Sequence, residues 1–291
     1  MIIVKLQGGI GNQMFQYAIG RRLSLERGVQ LKLDLSWFHN QTKRSYRLSQ
    51  FNIQAETRNS FEMEKLYRKD KNILYSKVIR QMERFLPYYQ RRVIFERKSG
   101  FDPNILKAQK FVYLDGYWQS QKYFSGYEMV LKNDLKLKEP IRDQLLIDLE
   151  NKFQNENSVS LHIRRGDYIQ DLKSAAYHGI CSTSYYHQAT NYLAECESDL
   201  RVYVFSDDIE WAKHNLSLKL PTEFISGRFD IPDFIELELM KNCKHHIIAN
   251  SSFSWWAAWL AKSPEKIVIS PIKWFVNKEV KNLIPAEWIS L

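Results

Sequence analysis

Three observations predict an α/β protein of two domains. Short runs in which apolar and polar residues alternate, such as Val159, Leu161 and Ile163 against Ser160, His162 and Arg164, recur along the chain with the period-2 pattern of strands. Stretches with apolar residues at helical spacing lie between them, the order expected of βαβ units and a parallel sheet. The length, 291 residues, is too great for one small core and fits two domains of roughly 100–200 residues, or one large α/β unit.

With 44% hydrophobic and 26% charged residues the chain has material for a packed core and no signature of disorder. A net charge of +9 implies affinity for something anionic. Nucleic acid is disfavoured, because there is no zinc-finger spacing, RNP-type segment or basic helical arm. Sugar nucleotides, phosphates and anionic membrane surfaces remain. Cys181, Cys196 and Cys243 are odd in number and lack CxxC spacing, which argues against a disulfide framework or structural zinc site and for a reducing compartment. No signal-peptide pattern opens the sequence and no run approaches the roughly 18 apolar residues of a membrane span. A soluble protein is expected, with peripheral attachment through basic surface left open.

Met1 to Leu6 reads as a first strand, and Gln7 to Gln13 as a tight turn into a helix capped by Asn12, with Met14, Tyr17, Ala18, Leu23 and Leu25 on its apolar side. Gly8, Gly9 and Gly11 would let the backbone approach a ligand or a neighbouring helix. Their spacing is not a dinucleotide fingerprint, and no Lys-Ser or Lys-Thr pair makes a phosphate-clasping loop. The turn reads either as strand and helix packed through small residues or as one wall of a cleft, lined by its amides and Asn12. Val29 to Leu35 completes a βαβ unit.

Residues 36 to about 110 are less regular, with helices expected around 60–70 and 72–86, the second closed by Pro87. The aromatic and basic run FLPYYQRRVIFE reads as a satellite core or an acceptor-groove hairpin in preference to an RNA-stacking surface. After a strand at Phe111 to Leu114, Asp115 and the group Tyr117, Trp118, Gln119 and Ser120 combine an aromatic face with amide and hydroxyl groups, the chemistry of sugar binding. Trp118 as ordinary core is the plain alternative. Residues 121–155 read as helical and charged and 150–157 as a hinge, giving domains 1–155 and 156–291, with a tail from Trp274 folding back over the first.

The strand at 158–163 stops on Arg164, Arg165, Gly166 and Asp167. This is either a solvated turn or the floor of a cleft, since open α/β sheets bind ligands at the carboxyl ends of their strands. Residues 169–183 read as a loop. Tyr185, Ala189, Tyr192, Leu193 and Cys196 follow as a buried helix stripe, which makes Cys196 a packing residue and not a nucleophile. Arg201 to Ser206 ends in Asp207 and Asp208; such a pair can bind a metal, bind ribose or a base edge, or cap the next helix, and capping accounts for only one of them. Pro232 and Asp233 open a helix in which Glu236 completes a capping-box-like pair. His245 and His246 lack a further ligand at zinc spacing. Asn250, Ser251 and Ser252 enter an apolar helix and present amides and hydroxyls to an anion, with no GxSxG elbow to make a serine nucleophilic. Ile267 to Ile269 is the last strand expected.

HIRRGDY at 162–168 resembles the HxRRGDY signature of the α1,2-, α1,6- and protein O-fucosyltransferase superfamily. With GGIGNQMFQYA at 8–18, DGYWQSQKYF at 115–124, FSDD at 205–208 and NSSFSWWAAWL at 250–260, the chain resembles the bacterial α1,2-fucosyltransferases of glycosyltransferase family 11 along most of its length. The resemblance implies a GT-B fold, two Rossmann-like domains facing a central cleft. It implies a GDP-β-L-fucose donor and inverting, metal-independent transfer to the 2-hydroxyl of a terminal β-galactoside in an O-antigen unit, a capsule repeat or a free oligosaccharide.

For the residues it implies Arg165 on the β-phosphate, with Arg164 sharing that role or bonded to Asp167, and His162 beside donor or acceptor. Asp207 and Asp208 would hold guanine and ribose, and Asn250, Ser251 and Ser252 would lie near the diphosphate. Asn12 and Gln13 would approach from the first domain, where Tyr117 to Ser120 face the acceptor. Gly8, Gly9, Gly11, Gly166 and Asp167 would shape the loops. The GGIGNQ loop has no carboxylate, so the base stays open between Asp115, His162 and a dissociative path that needs little base help. The implied setting is cytoplasmic, at the inner membrane face, on a galactose-terminated and lipid-linked acceptor, with no nucleic-acid partner. Two other readings stay open: a related transferase of another GDP-sugar or linkage, and a carbohydrate- or nucleotide-binding protein without turnover.

Overall fold

The computed structural model describes residues 1–58, 83–166 and 179–291. The helix expected at 60–70, most of that at 72–86, Asp167, Tyr168 and most of the loop at 169–183 lie outside the described residues. The chain divides into one unit of Met1–Lys138 with Lys281–Leu283 and another of Glu139–Val280 with Ile284–Leu291. The division falls upstream of the expected 155/156 boundary. Residues 150–157 are no linker: helix Gln144–Asn155 buries Leu146, Leu149 and Phe153, and Asn157 already begins a strand.

The first unit is built on strands β1 (Ile2–Lys5), β2 (Leu31–Asp34), β3 (Glu56–Arg58), β4 (Val93–Phe95) and β5 (Val112–Asp115), all parallel, in the order β3-β2-β1-β5-β4. The strand order reverses between β1 and β5, which brings the loops after Lys5 and Asp115 together at one sheet end. Helix α1 (Ile10–Arg27) starts after Gly9, whose backbone is extended, and ends where Gly28 takes a left-handed conformation and returns its N–H to the last turn. Met14, Tyr17, Ala18 and Leu23 are buried on it, and Leu25 is exposed. A side chain on Gly20 would place its Cβ 2.5 Å from Val4 Cγ2 and 2.8 Å from Leu31 Cδ1, so glycine is what lets α1 lie flush on β1 and β2. Helix α2 (Glu128–Asp134) supplies Asp134, which accepts from Tyr17 Oη at 2.7 Å and Arg21 Nε at 2.8 Å.

The second unit holds β6 (Asn157–Ile163), β7 (Leu200–Ser206), β8 (Thr222–Phe224), β9 (His245–Ile247), β10 (Val268–Ser270) and β11 (Ile289–Ser290), again all parallel, in the order β11-β10-β9-β6-β7-β8. Its helices are α3 (Gln144–Asn155), α4 (Thr183–Cys196), α5 (Ile209–Asn215), α6 (Asp233–Lys241) and α7 (Ser252–Leu260). Val159, Leu161, Tyr186, Leu193, Val202, Val204, Ile247 and Ile269 share one core. Near-continuous burial along β6 and β7 is what a sheet covered on both faces requires. Cys196 departs from the sequence reading: it lies in the last turn of α4 and is exposed. Two parallel sheets flanked by helices make two Rossmann-like units, the parts of a GT-B fold.

Gly20→Ala should lower stability by about 1–3 kcal/mol through overpacking against Val4 and Leu31. Urea unfolding of the variant would measure it, and an unchanged midpoint would show that α1 can lift off the sheet at no cost.

Candidate active site

In the second unit the strand order reverses between β6 and β9, where an open parallel sheet collects ligands. β6 and β7 run in register, with Ile163 opposite Ser206, so the residues that follow them emerge side by side. Asp207 uses both carboxylate oxygens on the Arg-Arg pair: Oδ1 accepts the Arg165 backbone N–H at 2.8 Å, and Oδ2 lies 3.0 Å from Arg164 Nη1. A Cβ at Gly166 would sit 3.1 Å from Asp207 Oδ2, which is why the turn carries no side chain there.

Asp208 does the capping. Its side chain accepts from Trp211 N–H at 3.3 Å at the start of α5, and its Oδ2 lies 3.8 Å from Arg165 Nε. The guanidinium carbon of Arg165 stands 3.6 Å from the centre of the Trp211 ring. Below them Ser206 Oγ accepts from Asp208 N–H at 3.0 Å, and Ser226 Oγ accepts from Ser206 N–H at 2.8 Å and donates to Glu236 Oε1.

Glu236 is a residue that sequence reasoning misassigned. The N-cap of α6 is Pro232, which makes no side-chain cap, and the Glu236 carboxyl is turned onto Ser226. Burial raises its pKa above the ordinary carboxylate value, with Asp233 and Asp207 adding to the rise and Ser226 and Arg164 opposing it. No local signal announces this, because the partner hydroxyl comes from the loop after β8.

His162 is 4% exposed, and its ring centre lies 5.5 Å from that of Phe253. Burial lowers its pKa to about 3, Asp207 acting against that shift and Arg164 with it, so the imidazole is a neutral part of the wall at physiological pH. Asn250 is buried, donates to Gly179 O and Trp274 O at 3.3 Å each, and accepts from Cys181 Sγ at 3.6 Å. Ser251 caps α7 by accepting from Phe253 N–H, and Ser252 is the first residue of that helix.

In the first unit the β1–α1 turn is braced from inside. Gln13 is fully buried, donates to Gly8 O at 3.0 Å and Ser45 O at 2.9 Å, and accepts from Arg47 N–H at 2.9 Å. It therefore holds the turn and presents no group outward. Gln16 accepts from Gln7 N–H at 3.0 Å and donates to Gly116 O at 3.1 Å, joining the loops after β1 and β5. Gly8 has φ +79°, and Gly11 is buried in the first turn of α1. Asn12 does not cap the helix, since Gly9 stands at the cap; its Oδ1 accepts from Gln119 Nε2 at 2.7 Å. Asp115 pairs with Lys5 Nζ at 3.0 Å at the tips of β5 and β1.

The group at 117–120 divides. Tyr117 is 41% exposed, whereas Trp118 and Ser120 are interior. Trp118 has φ +56°, and Glu96 accepts the backbone N–H groups of Tyr117 and Trp118 at 2.7 and 3.2 Å, which holds the strained turn. Ser120 donates to Asn282 O at 2.6 Å. Trp118 and Ser120 thus follow the packing alternative, and Tyr117 and Gln119 remain at the surface of this loop. Among the described residues no group of three His, Cys, Asp or Glu is placed to hold a metal ion, and no helix is long and apolar enough to cross a membrane.

Residues 1–291 match the family described as Glycosyl transferase family 11. The chain belongs to that family. It is 38% identical to an alpha-1,2-colitosyltransferase of Escherichia coli, over 100% of this chain and 99% of the relative. It is 31% identical to the O-antigen biosynthesis glycosyltransferase WbnK of the same organism, over 98% and 99%. The solved structure of the fucosyltransferase NodZ from Bradyrhizobium superposes with a TM-score of 0.50 at 13% identity, covering 92% of this chain and 94% of that one, a likeness of fold. As a family 11 glycosyltransferase the protein moves a sugar from a GDP-sugar to a glycan acceptor.

Because the His162 pKa falls from 6.5 to about 3 on folding, the unfolded chain takes up a proton in that pH range which the folded chain refuses. Its contribution to stability is complete above pH 6.5 and is lost as pH falls through the window. His162→Gln should therefore flatten the acid limb of a melting-temperature profile relative to wild type, and an identical slope would place the imidazole in water.

Proposed function

We propose that the enzyme transfers L-fucose from GDP-β-L-fucose to the 2-hydroxyl of a terminal β-galactoside, with inversion and without a metal. Membership of family 11 and the HIRRGDY, FSDD and NSSFS motifs support the reading. The observation that carries it is the pair of arginines at the tip of β6, with Asp207 on the Arg164 guanidinium and on the Arg165 backbone N–H. Cleavage of the fucose–phosphate bond leaves charge on the β-phosphate while the sugar becomes oxocarbenium-like, so fixed cations there stabilise the transition state more than the ground state.

Arg165 is assigned to the β-phosphate. Its ion pair with Asp208 runs through Nε at 3.8 Å, and its two terminal nitrogens are assigned to two phosphate oxygens. Arg164 stands beside it on Asp207 and adds charge. Asp207, Asp208 and Glu236 are assigned to hydrogen-bond donors of the nucleoside, each Asp207 oxygen keeping a lone pair beyond the partner it has. The amino end of α7 at Ser251 and Ser252 suits the diphosphate. Tyr117 and Gln119 are assigned to the acceptor. Asp115 is the candidate base, because burial of His162 separates its ring from an incoming hydroxyl. Work at the inner membrane face on a lipid-linked acceptor belongs to the same proposal.

The full-length similarity to a colitosyltransferase favours one second reading. Colitose is L-fucose without the 3-hydroxyl, so the two donors differ by a single hydrogen-bonding group. Assays with GDP-fucose, GDP-colitose and GDP-mannose on β-galactoside acceptors, in EDTA, with linkage analysis of the product, separate the cases. Fucose on the 2-hydroxyl in EDTA is the expected result, and transfer of colitose alone would install the second reading.

Arg165→Ala should keep the fold, checked by circular dichroism, and lose roughly 10²–10³-fold in kcat, about 3–4 kcal/mol, as when one oxyanion donor is removed. Undiminished turnover by the folded variant would refute the assignment.

A further inference from the structure

The donor site as read above makes no use of Trp211, which nonetheless lies against its central cation. The Arg165 guanidinium carbon is 3.6 Å from the centre of the Trp211 ring. Arg165 Nε is buried and has no hydrogen-bond partner among the described residues, and the carboxylate oxygen facing it, Asp208 Oδ2, is 3.8 Å away, beyond hydrogen-bonding range. The backbone N–H of the same arginine is fixed by Asp207 at 2.8 Å. Of these contacts the nearest to the guanidinium itself is the aromatic face.

The segment bearing that ring is itself held. Asp208 accepts the backbone N–H of Trp211, Ser206 accepts that of Asp208, and Ser226 accepts that of Ser206. The backbone that carries the indole is thereby tied to the tip of β7, next to the β6 tip that carries Arg165. A guanidinium is weakly hydrated and stacks readily on aromatic rings, so the pairing suits arginine and would suit lysine poorly.

We propose that Trp211 is a positioning residue for sugar transfer, holding the Arg165 guanidinium against its ring so that its orientation is set before the donor arrives. The proposal rests on the assignment of Arg165 to the leaving diphosphate. Preorganisation of this kind acts where charge develops, so its loss appears in kcat more than in the KM for the donor.

The test compares Trp211→Phe and Trp211→Leu in the wild-type and Arg165→Ala backgrounds. Trp211→Phe keeps an aromatic face and should stay near wild type. Trp211→Leu should lose roughly 3- to 30-fold in kcat, the span of a cation–π contact, with donor KM little changed. In the Arg165→Ala background the same leucine should cost nothing further. A readout independent of the donor is 19F NMR of protein carrying 5-fluorotryptophan. The Trp211 resonance, identified by its loss in Trp211→Phe, should move in Arg165→Ala and on addition of GDP.

Full kcat in folded Trp211→Leu, an equal loss in both backgrounds, or a resonance indifferent to Arg165→Ala would each overturn the proposal. If Trp211→Leu fails to fold, the fluorine shifts alone decide. If the wild-type enzyme transfers none of the GDP-sugars, the functional reading fails, and the response of the resonance to Arg165→Ala still judges the contact.

Discussion

One carboxylate ties two neighbouring arginines together, one by its side chain and the other by its backbone, and the second unit is arranged around that fact. Arg164 and Arg165 leave the same strand one after the other, and like charges so close repel unless an anion lies between them. Asp207 provides it, with one oxygen on a side chain and the other on a backbone N–H. The position of Asp207 is a property of the sheet: the β6–β7 register delivers the residue after Ser206 beside the residue after Ile163. Gly166 completes the arrangement by leaving the carboxylate unobstructed. Register, charge and a missing side chain form one constraint, and altering any of them alters all.

The first unit follows another logic. Its glycine-rich turn carries no charge of its own, and it is shaped by amides buried behind it. Gln13 and Gln16 satisfy backbone groups on the turn, on the segment at 45–47 and on the loop after β5. A buried polar group is costly unless its partners are complete, so such side chains permit few alternative loop conformations. The left-handed Trp118 fits the same scheme, since Glu96 binds both N–H groups of a turn that would otherwise relax.

What the sequence made legible was whatever depends on neighbours along the chain. Alternation over 158–163 and 201–206 gave β6 and β7, and the polar knots after them gave the Arg164, Arg165, Asp207 and Asp208 cluster. What it hid depends on partners far away. Asn12 resembles a cap, yet Gly9 has the extended backbone that starts α1, and Asn12 is engaged by Gln119. Glu236 resembles half of a capping box until Ser226 draws it away. Trp118 and Ser120 have the composition of a sugar site and the burial of a core. β3 and β4, three residues each at the sheet edges, are too short for alternation to register. The boundary near 138 was missed because a charged amphipathic helix, α3, looks like connecting chain when only its solvated face is considered.

The bond from Ser120 to the carbonyl of Asn282 spans 162 positions of sequence, and both ends belong to the unit that is made first. A ribosome producing this chain releases the opening half with a buried hydroxyl whose acceptor has not yet been synthesised. The amino-terminal unit thus reaches its final packing only once Lys281–Leu283 have been made, and a nascent chain arrested before residue 281 carries an interior defect in a region that its missing residues do not adjoin in sequence.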